Sequence, residues 1–454
     1  MDKKIYDLID SYAEDMAKTL CRWIAVPSLK AEGEEGAPFG QEIRRMLDMA
    51  MVDAETMGFM TRNYDGYACD IDLGDAPEAV AVLGHLDVVP AGDGWTTPPF
   101  TATRVGDKII GRGTSDDKGP VVAGLYAMKA IKEAGVPLKR TIRMILGTDE
   151  ESGWEDMEYY CEHAEMPEMG FSPDACFPCI NTEKGLLHSL LTAPASAEGL
   201  QVKKLFTGER PNVIPGLCEA VVEGGQEVAD KAAAYAAKTG LPYTVELTAD
   251  GVKLVAEGIP GHAAMPEGRR NAIGMLLLML RELGVEGAFK TLADCVGMET
   301  DGASLGVACA DELSGPLTNN IGILHLENGT ITATLDMRCP VAASLDDIEK
   351  TIREKLVGIT VKTTEKKAPH HVPADSELVT KLLAAYEEET GDKSGAIAIG
   401  GGTYAKVLKQ GVAFGAAFPD DEDLAHQADE YITVTGLVRS AKIFANALLR
   451  LCAE

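Results

Sequence analysis

The sequence has 454 residues with 46% hydrophobic and 25% charged side chains, the balance of an ordinary globular protein, and its length predicts about two to four domains. Its formal net charge of -29 repels phosphate groups, so the composition excludes nucleic acid and anionic membranes as natural partners. The ten cysteines are too sparse for a disulfide scaffold, and we predict that they are reduced thiols.

The N-terminal segment carries charged residues where a signal peptide needs an apolar core. Lys3, Lys4 and Asp7 lie within its first seven positions. No uncharged apolar stretch reaches the length of about 18 residues that a membrane span requires. We therefore predict a cytoplasmic protein.

Apolar runs alternate with helical patterns in the first part of the chain and again near its end. Residues 6–25, 40–56 and 119–134 are predicted helices, and 79–83 and 141–146 are predicted strands. A strand at 396–399 and a helix at 434–452 follow later. This alternation predicts an α/β domain, with a mixed central sheet flanked by helices, built from residues 1–185 and 375–454.

The middle of the chain, residues 186–374, has a different pattern. Short strands are joined by tight turns such as 249–251 and 327–329, and helical stretches lie between them. The pattern predicts an inserted α+β lid domain, in which two similar sets of strands and helices suggest an internal duplication. The adjacent pair His370-His371 near its end is interpreted as part of a linker.

Five short motifs carry histidine or carboxylate side chains at the ends of predicted strands or the starts of helices. They are Gly84-His85-Leu86-Asp87, 111–119 with Asp116-Asp117, Asp149-Glu150-Glu151, Ser172-Pro173-Asp174-Ala175 and Leu424-Ala425-His426-Gln427. Three consecutive carboxylates repel one another unless cations neutralise them. A lone histidine is more often structural and an acidic run more often a solvated face, so only the joint occurrence of the motifs favours a metal site.

These motifs resemble those of the ArgE/DapE/carboxypeptidase G metallopeptidase family, and in more detail its dipeptidase V branch, the Xaa-His dipeptidases or bacterial carnosinases. The resemblance extends over essentially the whole chain through Phe171-Ser172-Pro173-Asp174-Ala175, Glu183-Lys184-Gly185, Leu335-Asp336-Met337-Arg338 and Ala425-His426-Gln427. It implies a catalytic domain like that of the zinc aminopeptidases, together with the inserted lid.

The resemblance also implies two divalent metal ions and their ligands. His85 and Asp174 would bind one ion, Glu151 and His426 the other, and Asp116 would bridge them. Zinc is the metal that we expect first, with manganese or cobalt as alternatives, because mixed carboxylate and imidazole ligands suit all three. In relatives the peptide bond between Asp116 and Asp117 is cis.

Three further residues would take part in catalysis if the resemblance holds. Glu150 would be the general base for a hydroxide that bridges the metals, and Asp87 would orient His85. His262, in the lid segment 258–266, would donate a hydrogen bond to the oxyanion from within the same chain.

Substrate binding is implied for four residues, namely Arg338, Asn212, Gly401 and Gly402. The guanidinium group of Arg338 would bind the C-terminal carboxylate of the substrate, although this residue on a strand could also form a surface ion pair. The glycines would offer backbone N–H groups to the same carboxylate, or they could form a mere turn.

The sequence thus predicts a metallo-dipeptidase that cleaves dipeptides or very short peptides with a free C-terminal carboxylate. The first alternative is an N-acyl amino acid deacylase or desuccinylase with the same fold, and the second is a non-catalytic peptide-binding protein. A small peptide is the expected partner. We expect a monomer, with a dimer as the alternative.

Overall fold

The computed structural model describes residues 3–453, which divide into two compact units. Unit 1 comprises 3–181, 372–397 and 402–453, and unit 2 comprises 182–371 and 398–401. The segment 398–401, which the sequence analysis assigned to the catalytic domain, therefore belongs to unit 2. That the two units are a catalytic domain and a lid stays a prediction.

The described residues form helices and strands in a mixed α/β arrangement, as predicted. The helices are α1 (Lys3–Ser11), α2 (Ala13–Ile24), α3 (Gln41–Thr56), α4 (Lys118–Ala134), α5 (Glu155–His163), α6 (Gln226–Thr239), α7 (Ala272–Leu283), α8 (Ala288–Cys295), α9 (Leu345–Lys355), α10 (Glu377–Thr390) and α11 (Val434–Cys452), with a short 3-10 helix at Tyr404–Val407. The strands are β1 (Met60–Tyr64), β2 (Ala68–Leu73), β3 (Ala79–His85), β4 (Thr103–Val105), β5 (Lys108–Ile110), β6 (Thr141–Gly147), β7 (Met169–Ser172), β8 (Ala175–Cys176), β9 (Ile180–Glu183), β10 (Gly185–Pro194), β11 (Val202–Thr207), β12 (Val213–Ile214), β13 (Leu217–Val222), β14 (Tyr243–Thr248), β15 (Gly251–Glu257), β16 (Gly261–His262), β17 (Ala310–Asp311), β18 (Gly315–Pro316), β19 (Thr318–Glu327), β20 (Thr330–Cys339), β21 (Thr360–Lys367), β22 (His370–His371), β23 (Ile397–Ile399), β24 (Gln410–Ala413), β25 (Ala416–Ala417) and β26 (Tyr431–Thr433).

Unit 1 is built on a mixed sheet in which β1, β2, β6, β3, β7 and β24 lie side by side in that order. The four strands β6, β3, β7 and β24 are parallel, whereas β1 and β2 pair antiparallel at one side. Strands β3 and β6 are buried almost throughout, because helices such as α4 and α11 cover the sheet and share its apolar core.

The prediction of one N-terminal helix over residues 6–25 is wrong in one respect. The structure has two helices there, separated at Tyr12. The apolar periodicity runs through the break, since Ile9, Tyr12 and Met16 are all buried in the same core. A burial pattern reports which face a segment presents to the core, and it does not report a local interruption of the backbone.

The parallel strands carry three predicted motifs to one edge of the sheet. His85 is the last residue of β3, the segment 149–151 follows β6, and Asp174 follows β7. Because β6, β3 and β7 are neighbours and parallel, their carboxyl ends lie together, which is where open α/β sheets bind ligands.

Unit 2 contains an eight-stranded antiparallel sheet in the order β14, β15, β13, β11, β19, β20, β10 and β21. Its strands alternate between buried and less buried positions, as in a sheet with one covered face, and the buried residues of α7 belong to the same apolar core. The predicted turn at 327–329 is present between β19 and β20, with Asn328 and Gly329 at φ of 50° and 74°. The internal duplication stays a prediction.

His370-His371, interpreted as part of a linker, lie where the long segment of unit 2 ends and the chain returns to unit 1. These residues form β22, which pairs antiparallel with β9 so that His370 faces Glu183 and His371 faces Thr182. The Nδ1 atom of His371 lies 2.9 Å from the hydroxyl oxygen of Thr182. Both histidines are therefore ordered by strand pairing, which the sequence of two adjacent polar residues did not indicate.

Among residues 3–453, the structure contains no helix with the length and apolar character needed to cross a membrane.

Candidate active site

His85 lies fully buried at the end of β3 and faces two carboxylates. Its Nε2 atom is 3.0 Å from an oxygen of Asp116 and 3.6 Å from an oxygen of Asp174. Its Nδ1 atom is 3.0 Å from the backbone carbonyl oxygen of Asp87. Because that carbonyl only accepts, Nδ1 carries the proton, and the Nε2 lone pair of a neutral ring points at carboxylate oxygens. A cation between them, or a proton on Nε2, would relieve this conflict.

A second group shares Asp116 with the first. The Nε2 atom of His426 lies 3.0 Å from the other oxygen of Asp116 and 3.1 Å from the carboxylate of Glu151. The two oxygens of Asp116 therefore face two different imidazoles, His85 on one side and His426 on the other. The structure thus brings all five predicted ligands into two groups that could each hold a metal ion.

The carboxylates of Glu151 and Asp174 are costly as anions in the absence of cations. Burial, reinforced by the charge of Asp116, raises the pKa of Glu151 to about 7 and that of Asp174 to about 6. Hydrogen bonds with Asp116 and Glu151 raise the pKa of His426 to about 11. Since imidazole and carboxylate groups are the ligands of zinc and related divalent ions, these residues fit two such cations, which would supply the missing positive charge.

The carboxylate of Asp87 contacts both His85 and the segment that follows β6. Its carboxylate is 1% exposed and accepts hydrogen bonds from the backbone N–H groups of Glu150, at 3.2 Å, and Glu151, at 3.1 Å. One of its oxygens is also 3.3 Å from Nδ1 of His85. Asp87 can therefore orient both the imidazole and the segment that follows β6.

Glu150 has a fixed backbone and a side chain without a hydrogen-bond partner among residues 3–453. Its N–H group donates to Asp87, and its carbonyl oxygen accepts from the indole N–H of Trp154 at 2.9 Å. Burial raises the pKa of Glu150 well above its usual range, and the charges of Asp174 and Glu151 add to this effect. The carboxyl group therefore lies close enough to members of both ligand groups to feel their charges.

Glu430 is a residue of this site that the sequence reasoning missed as a functional residue. It is fully buried and accepts hydrogen bonds from the backbone N–H groups of Gly113, Ser115 and Asp116, at 3.1, 2.8 and 3.2 Å. Its carboxylate also pairs with the buried guanidinium group of Arg112 at 2.7 Å. Glu430 thus holds the loop that presents Asp116, whose peptide bond to Asp117 is cis.

Replacing Glu430 with glutamine should destabilise the protein by about 3–5 kcal/mol, because it leaves Arg112 buried without a counter-charge. The midpoint of urea unfolding, followed by far-UV circular dichroism, measures this loss. Glu14→Gln is the control, since it removes the carboxylate of an exposed pair with Arg104 and should change the midpoint little. Equal midpoints for the two variants would contradict the assigned role of Glu430.

His262 and Asn212 lie together in unit 2. His262 is exposed at the end of β16, which pairs with β12 so that His262 faces Val213. The carbonyl oxygen of Asn212 accepts from the N–H of Ala263 at 2.9 Å. The Nδ1 atom of His262 accepts from the N–H of Ala264 at 3.2 Å, so the neutral ring carries its proton on Nε2. Nε2–H is then a hydrogen-bond donor, as an oxyanion contact requires.

Arg338 is 7% exposed, which excludes the surface ion pair considered from the sequence. Its Nε and Nη2 atoms donate to the two oxygens of Asp336 at 2.8 and 2.7 Å, and Nη1 donates to the carbonyl oxygen of Gly400 at 2.9 Å. Asp336 also lies 2.9 Å from Nε2 of His188, another residue that the sequence reasoning missed. These contacts use three of the five guanidinium N–H groups and leave two for a ligand.

The glycine triplet has one position with a clear structural requirement. A Cβ atom on Gly400 would lie 2.7 Å from the Cβ of Ala264, whereas one on Gly401 would meet only ordinary contact at 3.5 Å. Gly401 belongs to unit 2 and Gly402 to unit 1. The substrate-binding roles of Gly401 and Gly402 stay predictions.

The parallel sheet carries at its edge two groups of side chains that could each hold a metal ion, as in a metal-dependent enzyme. A sequence profile described as "Peptidase family M20/M25/M40" matches residues 81–450. The chain belongs to this family and is therefore a peptide-bond hydrolase, which confirms the resemblance noted in the sequence.

The chain is similar in sequence to curated relatives and in fold to solved structures. The chain is 38% identical over 451 residues to "Putative dipeptidase YtjP" of Bacillus subtilis (strain 168), covering 96% of this chain and 97% of the relative. Human carnosine dipeptidase 1 has a similar structure, with a TM-score of 0.64 at 17% identity over 99% of this chain and 98% of that one. The aminoacylhistidine dipeptidase of Vibrio alginolyticus follows with a TM-score of 0.56 at 14% identity over 96% and 95%. At these identities the two structural similarities concern the fold.

Proposed function

We propose that the chain is a dipeptidase that uses two divalent cations, zinc first among them. His85 and Asp174 would hold one cation, Glu151 and His426 would hold the other, and Asp116 would belong to both groups. The observation that carries the proposal is the position of Asp116, whose two oxygens each lie 3.0 Å from a different imidazole. The names of relatives such as "Putative dipeptidase YtjP" support dipeptides as substrates.

The chemistry at this site is proton transfer during hydrolysis of the peptide bond. When bound, the cations supply Lewis acidity and lower the pKa of a water molecule. Glu150 takes the proton from the attacking water and returns it to the nitrogen of the leaving amine. Asp87 keeps the Nδ1 proton of His85 in place and holds the backbone of Glu150 through its N–H group.

Residues outside the two ligand groups would complete the reaction. His262 donates its Nε2–H group to the carbonyl oxygen as negative charge develops there. Arg338 offers its two unused N–H groups to the C-terminal carboxylate of the substrate, and Asn212 and the N–H groups of Gly401 and Gly402 contact the same substrate. Asp336 and Gly400 restrain the guanidinium group, which favours substrates with a free carboxylate.

A substrate panel tests the proposal. The protein is stripped with a chelator, reloaded with zinc, manganese or cobalt, and assayed with free dipeptides, tripeptides, C-terminally amidated dipeptides and N-acetyl amino acids. We expect turnover of free dipeptides and little turnover of the amidated ones. Turnover confined to N-acetyl amino acids would favour the deacylase, and no turnover with any cation would favour a peptide-binding protein. A cytoplasmic location and a monomeric state stay predictions.

Replacing Arg338 with lysine should lower kcat/KM for free dipeptides by about 10- to 100-fold, because an ammonium group cannot reproduce the planar charge-assisted contacts. Amidated dipeptides should lose much less. Arg353→Lys, on the exposed part of α9, is the matched control and should leave kcat/KM unchanged. Equal losses for free and amidated dipeptides would contradict a carboxylate contact of Arg338.

A further inference from the structure

Asn320 is a buried polar residue of β19 whose amide group is fully used. It is 4% exposed, and its Nδ2 atom donates to the carbonyl oxygens of Pro211 and Val213, both at 2.9 Å. Its Oδ1 atom accepts from the Nδ2 group of Asn271 at 2.8 Å. Both N–H groups of the amide therefore have a partner, and neither partner lies on β19.

The two carbonyl groups bound by Asn320 flank Asn212 in the sequence. Val213 in turn pairs with His262 between β12 and β16, and the carbonyl oxygen of Asn212 accepts from the N–H of Ala263 at 2.9 Å. One amide group thus fixes the backbone on both sides of Asn212 and the short strand against which His262 is paired.

Asn271 connects this group to a rigid element. Its Oδ1 atom caps α7 by accepting from the N–H groups of Ile273 at 2.8 Å and Gly274 at 3.1 Å. Its Nδ2 group donates to Asn320 and also to the carbonyl oxygen of Ile321 at 2.8 Å. Because α7 is buried along most of its length, the chain of amides is anchored in the core of unit 2.

The absence of a side chain at Gly322 is independent evidence that the segment before β12 packs closely on β19. A Cβ atom at this position would lie 2.3 Å from the carbonyl oxygen of Pro211, a backbone atom that could not move without displacing the segment. The strand therefore carries both a hydrogen-bonding residue and a residue without a side chain where the segment approaches.

We propose that Asn320 is a positioning residue that holds His262, and with it Asn212, in the geometry required for the transition state. The inference rests on the proposed function, in which His262 binds the developing oxyanion. Asn320 itself does not touch the substrate. Since an oxyanion donor acts chiefly in the transition state, misplacing His262 lowers kcat more than it raises KM.

The variants Asn320→Ala and Asn320→Asp test this proposal in the metal-loaded enzyme. Both remove the two donors, and Asn320→Asp keeps an acceptor for Asn271. We expect kcat to fall by about 10- to 100-fold with little change in KM. Asn319→Ala is the matched control, because Asn319 is 2% exposed on the same strand and its amide has no hydrogen-bond partner among residues 3–453. This control should retain the wild-type kcat.

A second variant tests the same displacement without changing Asn320. Gly322→Ala displaces the same segment by contact with Pro211 while leaving the amide of Asn320 intact, and it should lower kcat in the same way at an unchanged KM. Thermal unfolding shows whether each variant is folded at the assay temperature. A wild-type kcat in folded Asn320→Ala or Gly322→Ala would overturn the proposal.

A double-mutant cycle with His262→Ala separates positioning from general stability. If Asn320 acts through His262, then Asn320→Ala should lower kcat far less in the His262→Ala background than in the wild type. Fully additive losses would overturn the proposal. A wild-type kcat for His262→Ala would instead refute the oxyanion role in the proposed function. A loss for His262→Ala with none for Asn320→Ala would overturn the positioning role alone.

Discussion

Replacing Glu150 with glutamine is expected to lower kcat by about 10²- to 10⁴-fold while leaving the bound metal unchanged, because an amide cannot accept the proton of the attacking water. Glu150 belongs to neither of the two groups that could hold a cation, and its backbone is fixed independently by Asp87 and Trp154. The substitution therefore removes the base without removing a ligand.

Steady-state kinetics at saturating dipeptide, together with elemental analysis of the same sample, measure both quantities for Glu150→Gln. Glu162→Gln is the control, because this glutamate is exposed on α5, and it should leave kcat and metal content unchanged. Unaltered turnover in Glu150→Gln would remove Glu150 from the role of base. Loss of metal in parallel with activity would make it a ligand instead.

Three of the five candidate ligands, His85, Glu151 and Asp174, were accessible from the sequence because each lies at or just after the end of a recognisable strand. Buried strands such as β3 and β6 appear as apolar runs, and parallel neighbours place the residues after them at a common edge. The resemblance to relatives then assigned His85, Asp116 and the others to two ions. What the sequence could not supply is the orientation of Asp116, with one oxygen toward each imidazole.

The residues that support the site were not accessible in the same way. Glu430 is 314 residues from Asp116 along the chain, and Asn320 is 107 residues from Val213, so no local periodicity connects them. The burial of Arg338 could have been predicted from the sequence. Residues two apart on a strand share a face, and Asp336 is such a neighbour of Arg338. Two oppositely charged side chains at this spacing can neutralise each other inside a buried sheet. The interpretation of Arg338 as part of a surface ion pair did not take this into account.

Replacing Asp116 with asparagine is expected to abolish the binding of both cations, because Asp116 is the residue that the two groups share. An asparagine has no charge and only one oxygen, so it cannot face His85 and His426 equally. Asp174→Asn removes a ligand from one group alone and should leave one ion per chain. Asp93→Asn, in an exposed loop, is the control and should keep both.

Metal binding should also stabilise the folded protein, and this effect can be measured without an activity assay. At a free zinc concentration about 100 times the Kd, each bound ion stabilises the folded chain by about 2.7 kcal/mol, so two ions contribute about 5 kcal/mol. Thermal unfolding of the wild type should therefore shift upward as zinc is added after chelation, Asp174→Asn should show a smaller shift, and Asp116→Asn should show almost none. If Asp116→Asn kept the full zinc-dependent shift and both ions, the paired carboxylate and imidazole groups at the edge of the sheet would not be a dinuclear metal site, and the proposed chemistry would lose its basis.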